Sequence, residues 1–192
     1  MTGDWEHTVE GRSVLWRWLD GHGMDWCSLH RNGDGWGLFG RAVLTFDGVP
    51  GSVQYGVLCD AAWHTHTVTV NCTDGLRDRF LSLRHGENGW LVMNQPRDDL
   101  AGCVDVDLGV TPATNTLPIR RLNLAVGVSC EVVAAWVRFP ALDMRPLAQR
   151  YTRLDEHTYR YESDTGFSAE LTVDDMGLVI SYPQGWERMA VT

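Results

Sequence analysis

The alternation of apolar and polar residues over short segments most constrains the fold of this chain. In "SVLWRWL", Val14, Trp16 and Trp18 fall on one side of an extended strand, and Leu15 and Arg17 fall on the other. A period of two is typical of β-strands that bury one face. The same period runs through "GWGLFGRAVLTF", "SVQYGVLC", "RFLSLRH", "WLVM", "CEVVAAWVRF", "HTYRYES", "GFSAELTV" and "LVISY". The chain is therefore predicted to be rich in short strands.

Turn signals separate these segments and indicate how the strands are connected. In "RNGDGW", "HGENGW", "SDTGF" and "DDMGL", glycine stands beside asparagine or aspartate, which supply the positive φ angles of tight hairpins. Strands joined so tightly are antiparallel neighbours. Many such strands must curl to bury a face and protect their edges. We expect a mainly β single domain, residues 1–192, with one strongly curved antiparallel sheet or incomplete barrel of about a dozen or more strands and one or two short helices.

Charge and composition exclude several classes of function. The 192 residues carry a net charge of −9, from 16 basic and 25 acidic residues. This balance lacks the basic surface that neutralises phosphates, so nucleic acid is not an expected partner. The chain has no apolar run long enough to span a bilayer, and its N-terminus does not resemble a signal peptide. Its five scattered cysteines form no CxxC pair and predict no structural zinc site. We expect a cytoplasmic protein without a cofactor.

One internal similarity and one proline bear on the strand pattern. "SLHRNGDGW", residues 28–36, resembles "SLRHGENGW", residues 82–90. The two stretches are either a duplicated hairpin or two unrelated strand–turn–strand sequences. In "LDMRPLAQRY", Pro146 removes a backbone donor and so predicts a sheet edge or a bend.

The segment "CVDVDLGVTPATNTLPIRRLNL", residues 103–124, departs from the alternating pattern. Asp105 and Asp107 are two residues apart and share one face of a strand. They either form a carboxylate pair for acid–base chemistry or pair with Arg120 and Arg121. The stretch "TNTLPIRRL" predicts a short helix, with Asn115 or Thr116 as the N-cap and Pro118 in the first turn.

Two histidines offer an alternative metal site. In "AWHTHTV", His64 and His66 lie on the same side of a predicted strand and could supply two ligands. His30 or Asp105 would have to complete the site. The other interpretation is that the two histidines lie at a solvated strand end.

Tryptophan is unusually frequent. Nine residues of this type occur: Trp5, Trp16, Trp18, Trp26, Trp36, Trp63, Trp90, Trp136 and Trp186. Each can fill the core of a curved sheet or line a ligand cavity. A curved sheet with many large aromatic side chains makes an internal apolar cavity plausible.

The segment at residues 103–124, together with "LCDAAWHTHTV", "QRYTRLDEHTYRYES" and "GFSAELTVDDMGLVISYP", resembles a bacterial family described as glycolipid-binding and long known as a domain of unknown function. The resemblance extends over about residues 16–182. It implies a strongly curved antiparallel sheet or incomplete barrel around a tunnel, a shape related to envelope lipoprotein-carrier proteins. The family's motif falls on Asp105, Asp107, Asn115, Thr116, Pro118, Ile119, Arg120, Gln149, Tyr151, Tyr159, Tyr161 and Phe167. The sequence departs from the motif at Ala113, where an aromatic residue is usual, and at Trp186, where a phenylalanine is expected after the Tyr-Pro turn.

The leading hypothesis is a non-enzymatic protein that binds a lipid-like or glycolipid ligand in an aromatic-lined tunnel, as a monomer or a homodimer. In this hypothesis "TPATNTLPIRRL" is a capped helix or lid whose Asn115, Thr116 and Arg120 contact the headgroup. The alternatives are that an aspartate pairs with Arg120 only to hold the segment, that the protein is a metal-dependent or acid–base enzyme on a lipocalin-like scaffold, or that it is a protein-interaction module. The candidate ligand-binding residues are Tyr55, Trp63, Asp105, Asp107, Asn115, Thr116, Arg120, Trp136, Gln149, Tyr151 and Tyr161.

Overall fold

A computed structural model describes residues 10–86 and 89–192, and they form a mainly β structure. Fifteen strands belong to one sheet. Their bounds are β1 Gly11–Trp18, β2 Gly23–Asn32, β3 Gly35–Phe46, β4 Val49–Cys59, β5 Thr65–Asp74, β6 Arg77–Gly86, β7 Gly89–Val92, β8 Gln95–Pro96, β9 Asp105–Leu108, β10 Ser129–Arg138, β11 Asp143–Arg153, β12 Thr158–Ser163, β13 Ser168–Val173, β14 Val179–Tyr182 and β15 Trp186–Val191. A short helix, α1, spans Thr116–Leu122, and 3-10 turns occur at Asp98–Leu100 and Ala113–Asn115.

The strand order confirms the expected curved, mainly antiparallel sheet. Strands β1 to β8 follow one another as one antiparallel meander, and β10 to β15 form a second. Pairing of β1 with β15 joins the two meanders. The parallel pairing of β9 with β10 was not expected from the hairpin signals. It arises because α1 and its flanking loops separate these two strands, and parallel strands require such a crossover.

Strand alternation places the apolar side chains as the sequence predicts. On β1, Val14 and Trp16 are buried while Arg17 is exposed. Inward residues of β1 to β6 build one core cluster, which Leu108 of β9 and Val137 of β10 complete. A second cluster lies within the other meander around Tyr151, Tyr161 and Leu171, with Ile119 of α1 packed into it. Residues of the central segment therefore contribute to both clusters.

The expected hairpins are present where the structure describes them. Gly33 and Gly166 have φ angles of 59° and 85° in the β2–β3 and β12–β13 turns. In "HGENGW", Gly86 pairs with Gly89, while Glu87 and Asn88 lie outside the described residues, as does Trp5. Both similar stretches, 28–36 and 82–90, connect sequential antiparallel strands. Either origin accounts for that arrangement.

Pro146 lies in a part of β11 that pairs with a neighbouring strand on one side only. It pairs with Ala135 of β10, but the pairing of β11 with β12 begins at Gln149. The missing N–H of Pro146 therefore faces no described partner strand, as expected for a proline at a sheet edge.

Candidate functional site

The two aspartates of the central segment share a face, as predicted. Asp105 pairs with Ala134 of β10 and Asp107 pairs with Trp136. Val106 and Leu108, on the opposite face of β9, belong to the core cluster of β1 to β6. The carboxylates are therefore directed away from that cluster, on the side that carries α1 and Gln149.

Asp105 has a structural partner, and it is Arg121 rather than Arg120. The Arg121 guanidinium donates two hydrogen bonds to Asp105, at 3.1 and 2.6 Å, and the aspartate side chain is almost completely buried. The hypothesis that Arg120 pairs with an aspartate is wrong. Successive helical residues point about 100° apart, so only one of the two arginines can face β9. Arg120 instead donates to the carbonyl of Asp175 and lies 5.3 Å from the centroid of the Trp63 ring.

The start of α1 is held by tertiary contacts instead of a side-chain cap. Asn115 has a helical φ of −61° because a 3-10 turn leads directly into α1, so its side chain does not cap the helix. Its Oδ1 accepts from the Tyr151 hydroxyl at 2.9 Å. The Thr116 hydroxyl donates to the carbonyl of Gly177 at 3.0 Å. The predicted helix is present with Asn115 at its N-cap position, but the expected side-chain cap is not formed, and Thr116 is the first helical residue.

A cleft of about 340 Å³, here called the aromatic cleft, opens beside the end of β9. It lies where β9, β10, β12 and the β14–β15 turn meet. Its lining residues are Asp107, Gly109, Thr111, Asn115, Trp136, Leu147, Tyr161, Ser163, Thr165, Phe167, Tyr182, Gln184, Gly185 and Trp186.

Aromatic rings form much of the aromatic cleft. The centroid of Phe167 lies 6.1 Å from that of Tyr161 and 5.9 Å from that of Tyr182, with the rings tilted by about 50°. On the neighbouring strands β10 and β11, the guanidinium of Arg145 lies 4.9 Å from the ring centroid of its paired residue Trp136. Aromatic faces of this kind bury apolar surface and interact favourably with the C–H groups of a sugar ring.

Asp107 is the acidic group of the aromatic cleft. Its Oδ2 accepts from Nε2 of Gln149 at 2.6 Å, and the same nitrogen donates to the Tyr161 hydroxyl at 3.1 Å. Desolvation raises the pKa of Asp107 to about 6, although the hydrogen bond from Gln149 opposes this shift. The carboxylate is therefore mostly ionised at neutral pH, where a carboxylate accepts hydrogen bonds and donates none.

An apolar cleft of about 350 Å³, here called the mouth cleft, adjoins the aromatic cleft. Its lining residues are Trp18, Leu44, Phe46, Gly109, Val110, Trp136, Arg138, Phe139 and Trp186. Gly109, Trp136 and Trp186 line both clefts. Trp18 stacks on Trp186 with ring centroids 6.0 Å apart. The two clefts therefore lie side by side, and the mouth cleft is the more apolar of the two.

A buried carboxyl group lies directly behind the aromatic cleft. Asp25 Oδ2 accepts from the hydroxyls of Thr111 at 2.5 Å and Tyr55 at 2.9 Å, and Thr111 also lines the cleft. Burial raises the pKa of Asp25 to about 7. Its other oxygen, Oδ1, is buried without a hydrogen-bond partner among the described residues. The ring of Tyr55 lies directly against Gly40 where it reaches Asp25. A side chain at residue 40 would collide with the ring, because a Cβ there would lie 2.1 Å from it.

The candidate residues divide between the cleft and structural positions. Asp107, Asn115, Trp136 and Tyr161 line the aromatic cleft. Gln149 and Tyr151 bond to these residues, and Tyr55 reaches the cleft through Thr111. The remaining candidates make the internal contacts described above: Trp63, Asp105, Thr116 and Arg120.

Sequence reasoning missed several residues of this region. It did not include Thr111, Phe167, Tyr182, Trp186 or Asp25 among the candidates. Only Asp25 had a signal in the local pattern, because it is the single charged residue on the inward face that continues through Cys27 and Leu29. Phe167 and Trp186 appeared only as motif positions.

The alternative metal and acid–base sites do not form in the described structure. His64 precedes β5 and contacts Asp60 at 3.2 Å, His66 contacts Thr67, and His30 stacks on Phe39. Within residues 10–86 and 89–192, no three His, Cys, Asp or Glu side chains lie close enough to hold a metal ion. Arg121 occupies both oxygens of Asp105, so Asp105 and Asp107 do not act as a matched pair.

Helices of the described residues are all too short or too polar to cross a bilayer.

Comparisons with known proteins agree with this architecture. A family model described as "Putative glycolipid-binding" matches residues 13–188. A crystal structure of a DUF1089 family protein from Pseudomonas aeruginosa is 34% identical, with a TM-score of 0.78 over 86% of this chain and 92% of that chain. A β-barrel-like protein of the DUF1849 family from Brucella abortus shares the fold at 9% identity, with a TM-score of 0.51 over 96% of this chain and 97% of that one. No curated protein matches the chain at a significant level. Because the family model covers most of the chain, including the strands and central segment that build the two clefts, this protein belongs to the family described as "Putative glycolipid-binding".

Proposed function

We propose that this protein binds an amphipathic glycolipid without transforming it, and that the sugar headgroup occupies the aromatic cleft. One observation carries the proposal: the Asp107 carboxyl group lies among aromatic rings in a cleft that shares three lining residues with an apolar cleft beside it. Aromatic rings beside hydrogen-bonding groups suit a polyol, which has apolar C–H faces and hydroxyl donors. The family's description supports a binding role of this kind.

Hydrogen-bond chemistry favours a headgroup rich in donors. Asp107 accepts one hydrogen bond from Gln149, and a carboxylate has about four acceptor positions. Sugar hydroxyls can fill the remaining positions that face the cleft. A phosphate headgroup without hydroxyl groups would instead place like charges together, which is unfavourable in a desolvated site.

We place the hydrocarbon portion of the ligand in the mouth cleft. Of the predicted tunnel, the proposal needs only this cleft. Trp18, Phe46 and Phe139 offer apolar surface there. Each methylene removed from water contributes about 0.8 kcal/mol, so even a short chain adds substantially to affinity. We place this binding in the cytoplasm, since five free cysteine thiols are compatible with a reducing compartment.

Binding of n-octyl β-D-glucoside below its micelle concentration tests the headgroup assignment by calorimetry. We expect saturable binding at pH 7.5 that Asp107→Asn weakens about tenfold, because hydrogen bonds to a charged group contribute about 1.5–3 kcal/mol. The matched control is Asp20→Asn, which changes an exposed aspartate and should leave affinity unchanged. Affinity of the wild type should also fall below about pH 6, as Asp107 gains a proton and loses acceptor capacity.

n-Octyl phosphocholine provides the contrasting ligand, since it has the same chain and no hydroxyl donor. We expect it to bind more weakly than the glucoside and to respond little to Asp107→Asn. Equal binding of both ligands, unaffected by Asp107→Asn, would contradict the headgroup assignment.

A further inference from the structure

Three turns at one end of the molecule carry exposed apolar side chains. Leu76 in the β5–β6 turn is fully exposed, at 102% of its reference area, while Leu19 after β1 and Val49 at the start of β4 are 44% and 42% exposed. An isolated exposed leucine needs no explanation, but apolar residues on successive turns at one end do.

Backbone hydrogen bonds show that these turns are neighbours. The amide of Gly75 donates to the carbonyl of Pro50 at 2.9 Å, which joins the β5–β6 turn to the β3–β4 turn. The amide of Thr45 donates to His22 at 3.0 Å, which joins the β3–β4 turn to the β1–β2 loop. Leu19 in turn donates its amide to Gly185, which lines the aromatic cleft.

The same end contains the opening of the proposed ligand site. Trp18 and Phe46, which line the mouth cleft, are adjacent in the chain to Leu19 and to the β3–β4 turn. The apolar surface also continues down the outside of the sheet, where the paired residues Met24 and Val43 are 44% and 61% exposed. Apolar tips therefore lie on the β1–β6 side of the position at which a lipid would leave or reach the site.

We propose that this end of the protein docks onto the surface of a zwitterionic lipid bilayer, with Leu19, Val49 and Leu76 inserted among the lipid headgroups. A fluid bilayer can accommodate separate side chains on turns, whereas a stable protein–protein interface buries about 800 Å² of matched surface on each partner. Shallow insertion of apolar side chains is a recognised mode of binding at the membrane interface.

Charge selects the kind of membrane. Asp20 and Asp47 lie in or beside these turns, while in the β5–β6 turn Asp74 pairs with Arg79 at 3.5 Å and Arg77 follows Leu76; the net charge of the chain is −9. Anionic lipids attract basic segments and repel acidic ones. Docking is therefore expected on neutral or zwitterionic lipid and is disfavoured on anionic lipid. The inference uses the proposed function only to identify the mouth cleft, and docking can be measured without any glycolipid.

Flotation of the full chain with vesicles of dioleoylphosphatidylcholine is the test. We expect wild-type protein to float with these vesicles and Leu76→Ser to lower the partition coefficient about tenfold, the loss expected for one buried leucine side chain. Leu19→Ser and Val49→Ser should each have a smaller effect, and the triple variant should remain in the lower fractions.

Val126→Ser is the matched control. Val126 is 59% exposed and precedes β10, at the end of that strand opposite to Trp136 and Phe139, roughly 30 Å away along an extended strand. Its replacement should leave flotation unchanged, and thermal unfolding should show that all variants are folded. An equal loss in Val126→Ser and Leu76→Ser, or stronger flotation with anionic phosphatidylglycerol vesicles, would overturn the proposal.

Two further outcomes distinguish membrane docking from self-association and from the proposed glycolipid binding. If Leu76→Ser abolishes a concentration-dependent dimer in sedimentation and has no effect on flotation, the surface is a self-association site and the membrane assignment is wrong. If the glucoside fails to bind while flotation retains its dependence on Leu76, membrane docking stands and only the ligand assignment fails.

Discussion

At the scale of single residues, the carboxyl groups show how position determines chemistry. Asp105 and Asp107 are two residues apart on one strand, yet Arg121 neutralises the first while the second remains in a cleft with Gln149. Asp25 has neutral hydroxyl partners and, among the residues that the structure describes, an oxygen without a partner. Burial raises the pKa of Asp25 to about 7 and that of Asp107 to about 6, and in the described part of the chain only hydrogen bonds from neutral groups oppose this desolvation.

Asp25→Asn should remove one source of pH-dependent stability. The pKa of Asp25 is higher in the folded than in the unfolded state, so its favourable contribution is complete below about pH 4 and is lost as pH rises towards 7. The free energy of unfolding of the wild type, relative to the variant, should fall by a few kcal/mol over that range and then level off. Urea denaturation at several pH values measures this difference.

Asp20→Asn is the control for Asp25→Asn, since it alters an exposed aspartate. A stability difference between the wild type and Asp25→Asn that stays constant from pH 4 to 8 would show that Asp25 titrates normally. The comparison uses differences between variants because other carboxylates also titrate. The pKa of Asp175, for example, is lowered by a hydrogen bond from Arg12, which contributes with the opposite sign.

At the scale of secondary-structure elements, α1 depends on its surroundings. A helix of seven residues is too short to be stable alone in water. Buried Leu117, the Thr116 hydrogen bond to Gly177 and the Arg121 ion pair attach it to both meanders. The helix thereby positions Asn115 at the aromatic cleft, so the integrity of the cleft is expected to depend on contacts that lie outside it.

Arg121→Ala should destabilise the protein by about 3–5 kcal/mol, because it leaves the buried Asp105 carboxylate without a partner. Arg160→Ala provides the matched control. Arg160 forms an exposed ion pair with Glu170, and such pairs contribute about 0–1 kcal/mol. Chemical denaturation of both variants gives the comparison. Losses of similar size would show that the Asp105–Arg121 pair does not anchor α1.

At the scale of the whole molecule, the β1–β15 seam makes one sheet from two meanders. Chain neighbours build each meander locally, but β1 and β15 come from opposite ends of the described chain. Trp16 reinforces the seam, since it is fully buried and its Nε1 donates to the Val179 carbonyl of β14 at 2.8 Å. We therefore expect the two meanders to unfold together.

Trp16→Ala should lower the free energy of unfolding by about 3–5 kcal/mol, as expected for loss of a large buried side chain. Unfolding followed by circular dichroism should show a single transition, and it should coincide with the transition followed by tryptophan fluorescence. Trp26→Ala is the control, because Trp26 lies on the outside of the sheet and is half exposed. Two separate transitions in the wild type would contradict a cooperative seam.

Periodicity and turn residues by themselves determined the strands, their antiparallel hairpins, the curved sheet and the helix in residues 113–122. These features depend on local φ and ψ preferences and on which side of each strand is apolar, and both can be read from neighbouring residues. Asp107, Asn115 and Tyr161, which line the aromatic cleft, were instead identified by the resemblance to a known family.

Tertiary structure alone decided the parallel pairing of β9, the choice of Arg121 over Arg120, and the meeting of Asp25, Tyr55 and Thr111. It also brought Trp18 beside Trp186 and placed Leu19, Val49 and Leu76 at one end. These relations join residues far apart in the chain. They follow from the sheet's curvature and from the closure of the β1–β15 seam, which depend on packing of the whole core rather than on any local pattern.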